Sequence, residues 1–412
     1  MRPLAAAAAL GFAALAAGDA DVSFCHVQPY DQPWETAVLT HRLDRGLKAV
    51  EAARAQLAAD YGEWHERLFD VCLDRWGEKD DKDALAFLTR GAALRLRKAL
   101  LRAMIKREKF VIAFGGHSAA VAHGNYFEES SAHVLGRLLC PVLGELRVPV
   151  VVRNQAMGAH GGCPSCVNVA NHYGADADMV MWDFGMTDHS EETRDLFVRQ
   201  ALLLPKQPVV LVHYNTKNER KGFLNHLMEL HKAGFGVGGA SAWRLWDYSS
   251  ERRFPPPDAN PESMPYWLRG LQGYPGHQNK GTGTERYNAT ITTPSVCGNR
   301  KTGAAKWHPG FKEHHLVGSI LGKMLLDVVE DAMNEYNAWV FQNGDEPMDE
   351  EDFTFIPRAT EDDGGADLSR RASLDLPAGG CGGNPLCNLP FQGRSCLSPH
   401  APHAQHWQIR EL

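Results

Sequence analysis

Between Lys109 and Tyr214 the chain alternates short apolar runs with stretches of helical periodicity. No other feature restricts the fold as strongly. Strands are expected at 110–114, 148–153, 179–184 and 209–214, and helices at 128–139, 191–204, 222–233 and 316–341. Strands that are apolar at nearly every position are covered on both faces, and strands joined by helices run parallel. The expected fold class is therefore α/β, a three-layer αβα sandwich with a mostly parallel sheet. Neither Gly-x-Gly-x-x-Gly nor a Gly-Lys-Ser/Thr phosphate loop follows the first strand, which disfavours a nucleotide fold. Ala120 stands where a Gly-x-Ser-x-Gly elbow would need its last glycine, which disfavours an α/β-hydrolase.

The first strand breaks at Gly115-Gly116-His117-Ser118, placing a hydroxyl at the carboxyl edge of the sheet and at the expected start of a helix. Three later segments follow in order: Gly158 after the second strand, Gly185-Met186-Thr187-Asp188 after the third, and Trp307-His308-Pro309-Gly310 near the end. This series resembles the SGNH (GDSL-type) hydrolase superfamily over residues 109–342, and its texture around Asn125, Asn154 and Asp183 resembles a divergent branch from algae and other protists. The resemblance implies a nucleophile at Ser118, oxyanion donors at Ser118, Gly158 and Thr187, and a catalytic base at His308. Three positions depart from the family pattern. His117 replaces the aspartate before the serine, Thr187 replaces an asparagine, and Ala305 replaces the acid three residues before the histidine.

Ester hydrolysis by serine needs an activated hydroxyl, a base within hydrogen-bond reach, and donors aimed at the developing oxyanion. Ser118 and His308 supply the first two, and the main-chain N–H groups of Ser118 and Gly158 with the Thr187 hydroxyl supply the third. With Ala305 unable to orient the base, Asp188, Asp183 and Glu313 are candidate orienting acids; a main-chain carbonyl would make the site a dyad. The expected activity is a serine esterase cleaving an acyl ester, on carbohydrate in particular. The alternatives are a catalytically inactive extracellular binding protein on the same scaffold, and a carbohydrate O-acyltransferase. No cofactor or metal is expected, because His123, His160, His189 and His314 are scattered and match no zinc spacing. Cys163-Pro164-Ser165-Cys166 has the spacing of a redox dithiol. Beside Gly158 it reads better as a structural disulfide shaping the rim of the pocket.

The 412-residue chain is long enough for one main domain with appendages, and a net charge of −7 without a basic cluster argues against nucleic acid as a partner. Residues 1–18 combine Arg2, a short apolar run and small residues at the exit, the pattern of a cleaved signal peptide too short to span a membrane. A secreted protein with a small-molecule or polysaccharide ester as partner is expected. The nine cysteines then imply disulfides; Cys140, in an apolar run, is the candidate free thiol. Asn288-Ala289-Thr290 is a glycosylation sequon. Residues 19–108 read as a helical extension, 243–306 as an aromatic-rich insert within the hydrolase-like domain, and 343–412 as an acidic, then Gly/Pro/Cys-rich tail.

Overall fold

The structure, a computed structural model, describes residues 22–23, 36–66, 88, 90–123, 125–163, 165–185, 187–188, 190–213, 222–223, 225–227, 229–230, 240–243, 263–268, 309–344, 346 and 348. The signal-peptide segment, Asn288, His308 and nearly all of the tail and insert lie outside the described residues. The chain divides into two units, 1–370 and 371–412, and every described residue belongs to the first.

Six strands form one sheet in the order β1-β3-β2-β4-β5-β6. They are β1 (Val22–Ser23), β2 (Phe110–Gly116), β3 (Val150–Asn154), β4 (Met179–Asp183), β5 (Val209–His213) and β6 (Ala240–Trp243). The last five are parallel, and β1 pairs antiparallel on the outer edge of β3. The protein is thus an α/β protein. Every side chain of β2 and β5 is buried, as the unbroken apolar runs require. The chain passes from β2 to β3 on one side and later to β4 on the other. The order therefore reverses at β2, the position beyond whose carboxyl end open α/β sheets place their binding crevice.

The helices that flank the sheet include α1 (Thr36–Tyr61), α2 (Arg90–Lys106), α3 (Ser131–Glu145), α4 (Val169–Tyr173), α5 (Glu191–Leu202) and α6 (Phe311–Asn343). Alternate strand residues such as Ile112, Val152, Met181 and Leu211 share one core with Leu43, Leu100, Leu139 and Leu325 of α1, α2, α3 and α6. The other face, with Val111, Val180, Trp182 and Val212, packs against Tyr173 and Phe197 of α4 and α5. Small residues let α6 lie close on α3: a Cβ at Gly318 would overlap Val134, and one at Gly322 would overlap Leu138. Among the described residues no helix is long and apolar enough to cross a membrane.

Several sequence expectations shift. Ser118 does not open a helix. Residues 118–123 form successive turns, with Val121 N–H donating to His117 O at 3.1 Å and His123 N–H to Ser118 O at 3.0 Å. The next helix, α3, begins only at Ser131, because the Ser130 side chain caps it by accepting from His133 N–H. Pro141 sits inside α3 without ending it. Cys140 is disulfide-bonded rather than free; its partner lies outside the described residues, since the other two described cysteines, Cys163 and Cys166, pair with each other.

Candidate active site

The two glycines that close β2 are fixed by close approach. A Cβ on Gly115 would overlap the Tyr173 hydroxyl, and one on Gly116 would meet Ala120 and Asp183 O. With no side chain at 116, the backbone folds back against β4, and His117 N–H donates to Asp183 O at 3.0 Å. Ser118 follows at the point where the strand order reverses. The returning loop after β3 is drawn to the same place, for Met157 N–H donates to Gly116 O at 2.9 Å. A Cβ built on Gly158 would lie 3.7 Å from the Ser118 Cβ. The structure thus brings Ser118 and Gly158 side by side.

The loop from Gly158 to Cys166 is tied to the segment after β4. Asp188 accepts Gly162 N–H on Oδ2 and Ser190 N–H on Oδ1, both at 3.0 Å. A side chain at Gly162 would collide with that carboxylate. The Thr187 hydroxyl donates to His160 O at 2.7 Å and lies 3.3 Å from Phe184 O. Its single proton is thus engaged with main-chain carbonyls, and the hydroxyl ties the two loops together. Cys163 and Cys166 form a disulfide with Cα atoms 4.9 Å apart, closing the end of this loop.

His308 lies outside the described residues, but its neighbour Pro309 does not. Asn125 Nδ2 donates to Pro309 O at 2.8 Å, fastening the start of α6 to the chain seven residues beyond Ser118. Asn125 carries no role in the sequence reading; only this long-range contact reveals it. The three candidate orienting acids have separate environments. Both Asp188 oxygens are taken by main-chain N–H groups. Asp183 Oδ1 lies 2.9 Å from His213 Nδ1 and 3.8 Å from His117 Nε2. Glu313, in the first turn of α6, is 6 % exposed, and its buried Oε2 has no hydrogen-bond partner; burial pushes its carboxyl up to about 8.

The half-buried Asp183 gathers imidazoles. Burial raises its carboxyl, but the charge and hydrogen bond of His213, with His117 and His314 beyond, outweigh that and hold it below the usual range. His117 is shifted down by burial, opposed by Asp183 and assisted by His213. His314 meets Ser131 Oγ at 3.1 Å through Nδ1. Alternation on β4 and β5 places 183 and 213 on one face at adjacent strand ends. That signal was present in the sequence, but it needed the register to be read. Among the described residues no group of three His, Cys, Asp or Glu side chains is placed to hold a metal ion.

No family model matches the chain, and no curated protein does. Two solved structures of a two-domain esterase (CEX) active on acetylated mannans are similar to it. The one co-crystallized with mannopentaose is 16 % identical with a TM-score of 0.37, covering 58 % of this chain and 55 % of its own. The other is 18 % identical with a TM-score of 0.35, covering 58 % and 54 %. The chain therefore spans about half the length of each esterase chain.

Proposed function

We propose that the protein is a secreted serine esterase of SGNH type that hydrolyses an acyl ester, with acylated carbohydrate as the substrate class. The observation that carries this reading is the convergence at the end of β2: Ser118 on its turn, Gly158 against it, and Pro309, the residue after His308, bound to Asn125. In the first step Ser118 Oγ attacks the ester carbonyl while His308 takes its proton. The oxyanion is met by the main-chain N–H groups of Ser118 and Gly158. His308 then gives the proton to the departing alcohol, leaving an acyl-serine that water cleaves by the same route reversed. The leader pattern and the disulfides at Cys140 and Cys163–Cys166 support an oxidising, secretory setting.

A fluorophosphonate probe tests the reading directly. The disulfide-intact protein is expected to label at Ser118 and to release acetate from acetylated polysaccharide, with Ser118→Ala and His308→Ala each losing at least about 10³-fold in rate. A folded wild-type protein that neither labels nor hydrolyses any acyl ester overturns it. The inactive-scaffold reading then stands, favoured by the engagement of the Thr187 proton with His160 O.

A further inference from the structure

The family pattern puts aspartate before the serine, and this chain has His117 there. Its ring is 3 % exposed. The ring bridges the nucleophile turn, for Ala119 N–H donates to His117 Nδ1 at 3.1 Å, spanning Ser118. A main-chain N–H can only donate, so Nδ1 carries the lone pair and the single ring proton of the neutral imidazole sits on Nε2. Nε2 faces Asp183 Oδ1 at 3.8 Å, and Asp183 is anchored in turn by His213 Nδ1 at 2.9 Å. The ring therefore closes the turn carrying Ser118 on itself, while the main-chain N–H of the same residue ties that turn to Asp183 O at the end of β4 at 3.0 Å.

We propose that His117 is a positioning residue for Ser118, a clasp that holds the turn only while its ring is neutral and releases it on protonation. This rests on the reading of Ser118 as nucleophile. The proton added in acid goes to Nδ1, the only ring nitrogen without one. There it opposes the Ala119 N–H at hydrogen-bond distance, and the turn must rearrange around Ser118. The groups that set the balance come from each neighbouring element. Asp183 at the end of β4 favours the cation, His213 at the end of β5 disfavours it, and His314 on α6 acts through Asp183. Burial is the largest influence and keeps the ring neutral below its ordinary range. Aspartate accepts the same N–H two residues on without this liability.

The test compares wild type with His117→Asn, whose amide oxygen keeps the acceptor but does not titrate, and with His117→Phe, which has no acceptor. In wild type the acid limb of log kcat/KM against pH is expected to steepen from a slope of one towards two, the base and the clasp both protonating. In His117→Asn it stays at one. His117→Phe is expected to lose on the order of 10²-fold in kcat with little change in KM. Superimposable profiles for wild type and His117→Asn overturn the proposal. A second readout needs no activity: the imidazole nitrogen shifts of His117 report the tautomer at neutral pH. A proton on Nδ1 overturns the clasp, and a proton on Nε2 supports it. If wild type neither labels nor hydrolyses at any pH, the esterase reading falls while the tautomer still decides the clasp.

Discussion

Two aspartates on either side of one short strand are managed in opposite ways. Asp178, just before β4 at the amino edge of the sheet, has a side chain only 1 % exposed. It takes Val111 N–H at 2.9 Å, Arg102 Nη2 at 3.0 Å and Lys206 Nζ at 3.1 Å. Burial raises its carboxyl, with Lys206, Val111 and Arg102 resisting. Asp183, at the carboxyl edge, is surrounded by imidazoles instead. Partners of fixed charge make the first a pin. Imidazole partners, which can gain or lose a proton, make the second responsive. The pinned carboxylate lies at the amino edge and the responsive one at the carboxyl edge, where Ser118 sits.

The sharpest way to break this comparison is a matched pair of amide substitutions. Asp178→Asn is expected to cost about 3–5 kcal/mol in urea unfolding, because Arg102 and Lys206 lose their common anion, while the folded fraction keeps its kcat. Asp183→Asn is expected to cost less than about 1.5 kcal/mol yet lower kcat/KM by on the order of 10². Equal stability losses would erase the distinction.

Glu313 sharpens it from another side, as a buried acid whose Oε2 has no hydrogen-bond partner among the described residues. Its folded pKa, about 8, is raised above the unfolded value. Its favourable contribution is complete below pH 4.5 and is lost as pH rises through 8. Glu313→Gln is therefore expected to raise stability at pH 8 by up to several kcal/mol and to do nothing at pH 4, as thermal melts at the two pH values would show. His133 and His315 act in the reverse direction. Burial, the main cause for both, takes each down to about 4, so their contribution is full above pH 6.5 and declines as pH falls towards 4. Wild-type melting temperature should accordingly pass through a maximum between those limits, and a profile flat from pH 4 to 8 would contradict both shifts.

Two smaller effects concern the loop beside Gly158. Asp188→Asn sets an amide donor against a main-chain N–H, so about 1–3 kcal/mol of stability should be lost. Thr187→Val removes the bond to His160 O for about 1 kcal/mol and should leave kcat within a few-fold. A loss of 10² or more there would make Thr187 an oxyanion donor.

The strands from β2 to β5 were legible because each is a run of apolar residues with nothing to suggest a competing period. β6 was not: Ala240–Trp243 is four residues of mostly small side chains. Two helix starts moved, one of them set by a side-chain cap. Ser130 delays α3 beyond Glu128, and α6 begins at Phe311, directly after Gly310, rather than at Leu316. The nearness of Ser118 to Gly158 follows from chain order once the sheet is parallel. The clasp of His117, the tie through Asn125 and the engagement of Thr187 do not, since each depends on a contact between loops whose paths no periodicity specifies.

The helices before Lys109 carry a last consequence. They read in the sequence as an extension, yet Leu43, Val50, Leu96 and Leu100 are buried in the same cluster as Ile112 and Leu325. A border drawn where the chemistry begins is therefore not a border in folding. An expression fragment starting at Lys109 would display the bare apolar face of the sheet and of α6 to water, and would be expected to aggregate. The smallest folding unit around Ser118 includes α1 and α2, so recombination could exchange the loops there but could not separate them from those helices.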